Sequence, residues 1–401
     1  MKNFFLLFFL ILTSCSGISK GVTEAILEYN PKDNRRCLIT IDKMKSLKDS
    51  LNDKNIKEVK VFYIHGIGEH EPGHSLELLY NLSQKLGFNT LARNHKDIKI
   101  PNIYNDNGHS NLRVYKLKSP LYDKNLIFYE FTWSGISAKY KKILSYDNTA
   151  NLESHRANVN KGIKKFINSS GSDPLIYLGK GRQEILSSTL QAMCIMLKSN
   201  WDDLKSGPAQ ECSEIKIKDT IQDNKHVLIS HSLGSTIMID ALQKTVGDMQ
   251  KRSPNDTVRK KLKSIKFDLF MLSNQLPLMQ VGRDLPKVSN QYNNYCKING
   301  KNYNDRIIET TNIYAFSDPN DILSYSLPTK FIDKYVDSRI CPVPSNIYIN
   351  ISETKGFLGI SGANPLEAHL NYDKDDRVIS FIANGLSDPL IQERCSIINL
   401  D

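Results

Sequence analysis

The run Ser230-His231-Ser232-Leu233-Gly234 sets a serine hydroxyl between small residues. Before it, His226-Val227-Leu228-Ile229 reads as a buried β-strand, since short apolar, β-branched runs suit a strand covered on both faces. After it, Leu233, Ile237, Ala241 and Leu242 recur at helical spacing among Ser235, Asp240 and Gln243. A serine on so tight a strand-to-helix turn has its hydroxyl pushed clear of the backbone. The amide of Leu233 then points at any oxyanion formed there. The chemistry this suits is nucleophilic attack on an acyl carbonyl. The outer positions must be small because strand and helix backbones pass close together. Ser230 meets that need where glycine is usual, so the motif is Ser-x-Ser-x-Gly.

A second β-prone run, Val59 to Ile64, leads into His65-Gly66-Ile67-Gly68. Glycines at such a turn let backbone N–H groups face a site with no Cβ in the way. The His-Gly-x-Gly turn followed downstream by the serine turn resembles the α/β-hydrolase superfamily, on its lipase and esterase side. The resemblance covers roughly residues 57–390, with only these short motifs being specific. It implies the chain order serine, acid, histidine. Of nine histidines, only His231 and His369 lie at or beyond the serine turn, and His231 adjoins Ser232, so its side chain should point away. His369 remains. It follows the strand-like Ser345–Ile351 and precedes the helical Val378–Ile382, as the resemblance implies.

For the acid, the strand Asn312–Phe316 is followed by two aspartates, Asp318 and Asp321. Asp321-Ile322-Leu323 is similar to the Asp-Ile-Val that carries the acid in many lipases. Asp318 stands before Pro319 and is the alternative, suited otherwise to forming a turn or accepting an orienting hydrogen bond. The resemblance thus implies Ser232 as nucleophile, His369 as base and then acid, and Asp321 as its orienting carboxylate. The N–H groups of Leu233 and Ile67 would form the oxyanion hole. His65 and Gly66 would shape the loop, His65 through a side-chain hydrogen bond.

These residues need a scaffold, and the expected fold class is α/β, the α/β-hydrolase fold: a mostly parallel sheet flanked by helices, with a helical cap insertion. The core is expected over 57–133 and 223–401, after an extension (15–56) holding a first strand near Cys37–Ile41. Residues 134–222, helical in pattern and broken at Gly171-Ser172-Asp173-Pro174, form the expected cap. Trp133-Ser134-Gly135 and Asp173–Tyr177 either line the pocket or pack. Lys266–Leu272 reads as the strand between serine and acid.

The chain has 401 residues, 40% of them hydrophobic, enough for a sizeable core. Residues 1–14 read as a signal peptide, too short in its apolar run to span a bilayer. Leu12-Thr13-Ser14-Cys15 resembles a bacterial lipobox, making Cys15 the expected lipidation site. The expected location is the bacterial cell envelope, with Ser16 favouring the outer membrane, periplasmic or surface facing. The net charge of +10 is scattered over the chain with no aromatic-interleaved basic motif, which argues against a nucleic-acid partner. A basic surface beside a lipid anchor favours anionic headgroups.

Six further cysteines suggest disulfides in an exported protein, although Cys194 also reads as a core thiol within an apolar helical run. His65, His70 and His74 cluster in sequence. Pro72 and Gly73 break the helix that His-x-x-x-His ligation needs, so neither a metal nor a cofactor is expected. The expected function is a membrane-anchored serine hydrolase acting on lipid or other acyl esters (lipase/esterase or phospholipase-like). An acyltransferase and an inactive exported binding module are the alternatives. Oligomeric state is not encoded in any of these features.

Overall fold

The computed structural model describes residues 35–41, 43–88, 95–104, 108–144, 155–215, 219–353, 355–357 and 360–398. The signal peptide, Cys15 and the extension up to residue 34 lie outside the described residues. Eleven strands form one sheet, and a separate two-stranded hairpin pairs β11 (Lys355–Phe357) with β12 (Ile360–Gly362). The sheet strands are β1 (Cys37–Ile39), β2 (Glu58–Ile64), β3 (His95–Pro101), β4 (His109–Lys118), β5 (Asn125–Thr132), β6 (Gly207–Pro208), β7 (Asn224–His231), β8 (Lys266–Leu272), β9 (Thr310–Ser317), β10 (Pro342–Ile349) and β13 (Cys395–Ile397). Their order is β13-β1-β10-β9-β8-β7-β2-β5-β4-β3-β6. The six central strands, β5 to β10 in that order, are mutually parallel. Antiparallel neighbours lie further out, where β4 joins β5, β3 joins β4 and β1 joins β10.

The apolar runs fit because both faces are covered. Along β2, Phe62 and Ile64 enter one core while Val59, Val61 and Tyr63 enter the other. Leu228 and then Val227 and Ile229 of β7 divide the same way. The helices Leu76–Lys85 and Asp376–Asn384 cover the second face with Leu78, Leu79, Leu82, Val378, Ile379, Phe381 and Ile382. Burial of each such side chain is worth about 1.5–3 kcal/mol.

The helices Gly181–Lys198 and Leu233–Gln250 cover the first face. Much of the segment expected as a cap is therefore core. Ile185, Ala192, Met193, Ile195 and Met196 share one cluster with Phe62, Leu228 and Leu233. A buried lysine completes this packing: Lys60 of β2 donates to the carbonyls of Met196 (2.8 Å) and Ser199 (2.7 Å). It places a cation where the helix Gly181–Lys198 ends and its last carbonyls lack partners.

The six described cysteines stand in three disulfide-compatible pairs, Cys37–Cys395, Cys194–Cys212 and Cys296–Cys341. Cys194 is paired, not the isolated core thiol its apolar surroundings allowed. Cys37 and Cys395 face each other in the β1–β13 register.

After β2 the chain runs out to β3 and returns through β4 to β5 on one side of β2. It then crosses back to β7 on the other side of β2. The carboxyl ends of β2 and β7 therefore flank the point where strand order reverses, which is where open α/β sheets form a crevice for ligands. His65 to Gly68 leaves one strand there and Ser232 the other.

Candidate active site

Ser232 has φ 53° and ψ −123°, a conformation that costs a non-glycine residue about 1–3 kcal/mol. The surroundings enforce it. Ser232 N donates to Leu272 O of the neighbouring β8 (2.8 Å), and Ser235 N donates to Ser232 O (3.0 Å). A Cβ on Gly66 would lie 2.6 Å from the Cβ of Ser232, and one on Gly234 would lie 2.7 Å from the carbonyl oxygens of Ile64 and His65. Both glycines are thus required by close backbone approach. Ser230 is tolerated at the first motif position because its hydroxyl finds partners in the sheet–helix interface, Ser235 Oγ at 3.2 Å and Phe270 O at 3.4 Å.

His369 Nε2 lies 3.1 Å from Ser232 Oγ, and its Nδ1 lies 3.0 and 3.1 Å from the two carboxylate oxygens of Asp321. With Nδ1 protonated toward Asp321, Nε2 presents its lone pair to the serine hydroxyl. Burial pushes the Asp321 carboxyl up, but its bonds and charge interaction with His369, helped by Ser273 and the Leu323 amide, outweigh this and hold it below the usual range. Ser232 and Asp321 are buried, and His369 is only 6% exposed.

Asp318 lies elsewhere. Its carboxylate accepts from the amides of Asn320 (2.7 Å), Ile351 (2.6 Å) and Ser352 (3.3 Å), and its own amide donates to Tyr372 Oη (2.8 Å). It binds the loop after β9 to the segment after β10, and so braces both the Asp321 and the His369 connections.

Two contacts escape sequence reasoning. Ser273, just beyond β8 and itself at φ 51°, donates to Asp321 Oδ2 (2.6 Å) and stands 2.8 Å from His369 Nδ1. Its only sequence signal is its place at the end of the strand next to β7. His231 does turn away from Ser232, yet it has a role: its Nε2 donates to the backbone carbonyl of His369 (2.9 Å).

Next to Ser232, Leu233 opens the helix Leu233–Gln250, so its N–H has no intrahelical acceptor. The carbonyl of Ile67 accepts from His70 Nε2 (3.1 Å), and Gly68 N donates to Asp173 (2.7 Å). His65 Nδ1 donates to Gly66 O (2.9 Å) while its Nε2 accepts from Trp133 N (3.1 Å), which fixes a neutral tautomer. Glu130, fully buried on β5, accepts from Ser75 N at 2.9 Å and also from Gly73 N and Ser75 Oγ. Trp133 is buried and stacked on His65 at 4.9 Å, and Ser134 Oγ donates to His70 O (2.7 Å). These residues build the loop. The nitrogens of His65, His70 and His74 that have partners are engaged with protein groups, and the rings pack with centroids 4.2–5.0 Å apart.

This packing has a pH signature. Burial, reinforced by the neighbouring imidazoles, lowers His65 well below the usual value and His70 to about 4. Burial likewise lowers His74, His226 and, to about 3, His231. Below about pH 6.5 the unfolded chain therefore binds more protons than the folded one, so stability falls as pH falls. At about 1.4 kcal/mol per pH unit, His70 alone withdraws about 3 kcal/mol between pH 7 and pH 4. Asp373, pushed up to about 6 by burial, opposes this, as do the more weakly raised Asp173, Asp318 and Glu58. The expected outcome is a thermal midpoint that drops between pH 7 and pH 5 in calorimetry, with a shallower slope in His70→Gln. A flat profile in the wild type would contradict it.

A cavity of about 560 Å³ opens at the amino ends of β7 to β9, lined by Lys225, Lys266, Asn312 and Lys45. It sits at the opposite end of the sheet from Ser232, and Lys225, Lys266 and Lys45 pair with Asp268, Glu309 and Asp53. The Ser232–His369–Asp321 array lies at the other end. No family model, curated protein or solved structure matches the chain.

Proposed function

We propose that this protein is a serine hydrolase of acyl esters, built on an α/β-hydrolase fold and held at the cell envelope by a lipidated Cys15. The observation that carries the reading is the continuous chain Ser232 Oγ–His369–Asp321, every link within 3.1 Å. The fold assignment is supported by where the motifs sit: the His-Gly-x-Gly loop, the serine turn and the acid leave the carboxyl ends of parallel strands β2, β7 and β9, and His369 follows β10. The lipid anchor rests on the lipobox-like Leu12–Cys15 alone.

In the proposed reaction Ser232 Oγ attacks the ester carbonyl carbon as its proton passes to His369 Nε2. The carbonyl π pair becomes an oxyanion facing the N–H groups of Leu233 and Ile67. Collapse of the tetrahedral intermediate breaks the bond to the alkoxide, which takes the proton from Nε2 and leaves as alcohol. Water then repeats the sequence on the acyl-serine, releasing the carboxylic acid. Asp321 holds the imidazole tautomer and stabilises the imidazolium.

Incubation with a fluorophosphonate followed by peptide mass analysis tests this. A covalent adduct on the peptide bearing Ser232, together with turnover of p-nitrophenyl acyl esters, is the expected result. A folded, unlabelled protein would reduce the site to a binding module. Products that appear only with an added alcohol acceptor would mark an acyltransferase. Ser273→Ala should lower kcat about tenfold, one orienting hydrogen bond of about 1–1.5 kcal/mol, while the adduct still forms. An unchanged kcat would remove Ser273 from the positioning of the imidazole.

A further inference from the structure

The helix Asn158–Phe166 carries an amphipathic pattern with no core beneath it. At helical spacing, Val159, Ile163, Phe166 and the adjoining Ile167 gather in an arc of about 100°. Lys161, Lys164 and Lys165 occupy the opposite side. Such a stripe in a globular protein faces a core, yet no residue of this helix is buried. Among the described residues it packs most against the following turn, Ile167–Gly171, where Phe166 and Ile167 close over Gly171. Val159 is 38% and Ile167 46% exposed. After that turn, Leu175, 73% exposed, lines a shallow depression with Ile143 and Lys180.

We infer that this helix docks on an anionic lipid bilayer. Four apolar side chains on one side and three ammonium groups on the other are the composition of a helix that lies in the membrane interface, its apolar side about 5–10 Å deep and its lysines among headgroups. The lysines select acidic lipids, and the long stems let them reach the headgroup layer while the apolar residues insert.

The helix is also fastened to the candidate active site. Lys141 Nζ donates to Ser169 O and pairs with Asp173 (2.9 Å), whose other oxygen holds Gly68 N beside Ile67. Docking here therefore brings the edge of the oxyanion loop to the lipid surface. Bilayer binding itself requires no catalysis. Only the delivery of lipid esters to Ser232 rests on the hydrolase reading.

The test uses the full-length chain carrying Ser232→Ala and Phe166→Trp, with Ser232→Ala alone as the reference, because Trp133 and Trp201 are the native tryptophans. The emission of the introduced tryptophan is read against vesicles of phosphatidylcholine with or without phosphatidylglycerol. A blue shift on phosphatidylglycerol vesicles, with quenching by brominated acyl chains, is expected. On vesicle-bound protein, the ratio of docked to undocked helix read from the emission should fall about a hundredfold when Lys161, Lys164 and Lys165 are changed to Gln. Unchanged emission on phosphatidylglycerol vesicles overturns the inference. Emission already blue-shifted in buffer also overturns it, since another part of the chain would then cover the stripe. Val159→Trp, checked by circular dichroism, repeats the reading should Phe166→Trp misfold. Read on vesicle-bound protein, the emission distinguishes docking of the helix from tethering by the N-terminal anchor, and fluorophosphonate labelling of the wild type separately decides the hydrolase reading.

Discussion

Ser232→Ala is expected to lower turnover of acyl esters by about 10⁵–10⁶ while leaving the fold intact. The size follows from the arrangement of the site. With the hydroxyl gone, no other hydroxyl among the described residues is hydrogen-bonded to His369 Nε2, and the acyl-serine route closes. Residual catalysis over water would come from the amides of Leu233 and Ile67 and from substrate binding. Stability should hold or rise slightly, since alanine keeps the Cβ packed against Gly66 and loses one hydrogen bond. Steady-state kinetics with a p-nitrophenyl ester, alongside thermal unfolding, measures both. A variant that keeps more than a few per cent of activity would remove Ser232 from the chemistry.

Asp321→Asn should cost about 10³–10⁴ in kcat, and Asp318→Asn less than about tenfold. An amide at 321 can present N–H to Nδ1, favouring the tautomer that aims a proton, not a lone pair, at Ser232. Ser273 Oγ, 2.8 Å from Nδ1, offers a substitute acceptor and places the loss toward the lower end of that range. At 318 an asparagine oxygen still accepts from Ile351 and Ser352, so the brace weakens and the proton relay does not. The thermal midpoint should fall by the equivalent of about 1–2 kcal/mol. Measuring kcat and unfolding for both variants separates them. A large kcat loss at 318 with a small one at 321 would exchange the two roles.

The local signals in the chain were strong where the physics is local. Alternating and continuous apolar runs marked the cores of β2, β7, β8, β9 and β10, because a strand buried on both faces has little freedom in composition. The serine turn was legible for a similar reason. Gly66 and Gly234 stand where any Cβ would meet backbone or Ser232 at under 3 Å, so the motif residues are dictated by contacts a few bonds away.

Contacts between distant segments were not legible. Ser273 reaches His369 across 96 residues of sequence, and His231 holds the same residue's carbonyl across 138. Neither partner has a compositional mark, since a serine after a strand or a histidine beside a serine suits many environments. The aspartates show the same limit. Both follow β9 within four residues, and only the tertiary fold sends Asp318 to the amides of Ile351 and Ser352 while turning Asp321 to the imidazole.

The helix Gly181–Lys198 illustrates it at a larger scale. Its pattern announced a helix, but whether that helix lay over the site or against the sheet depended on Lys60 and the core facing it. By itself, then, the sequence determined the elements, the serine turn and the residue types available for chemistry, because periodicity and steric exclusion act over a few residues. Which carboxylate, which imidazole and which cysteines meet was decided by the tertiary structure, because those choices depend on strand order and register, and no short window of the chain contains either.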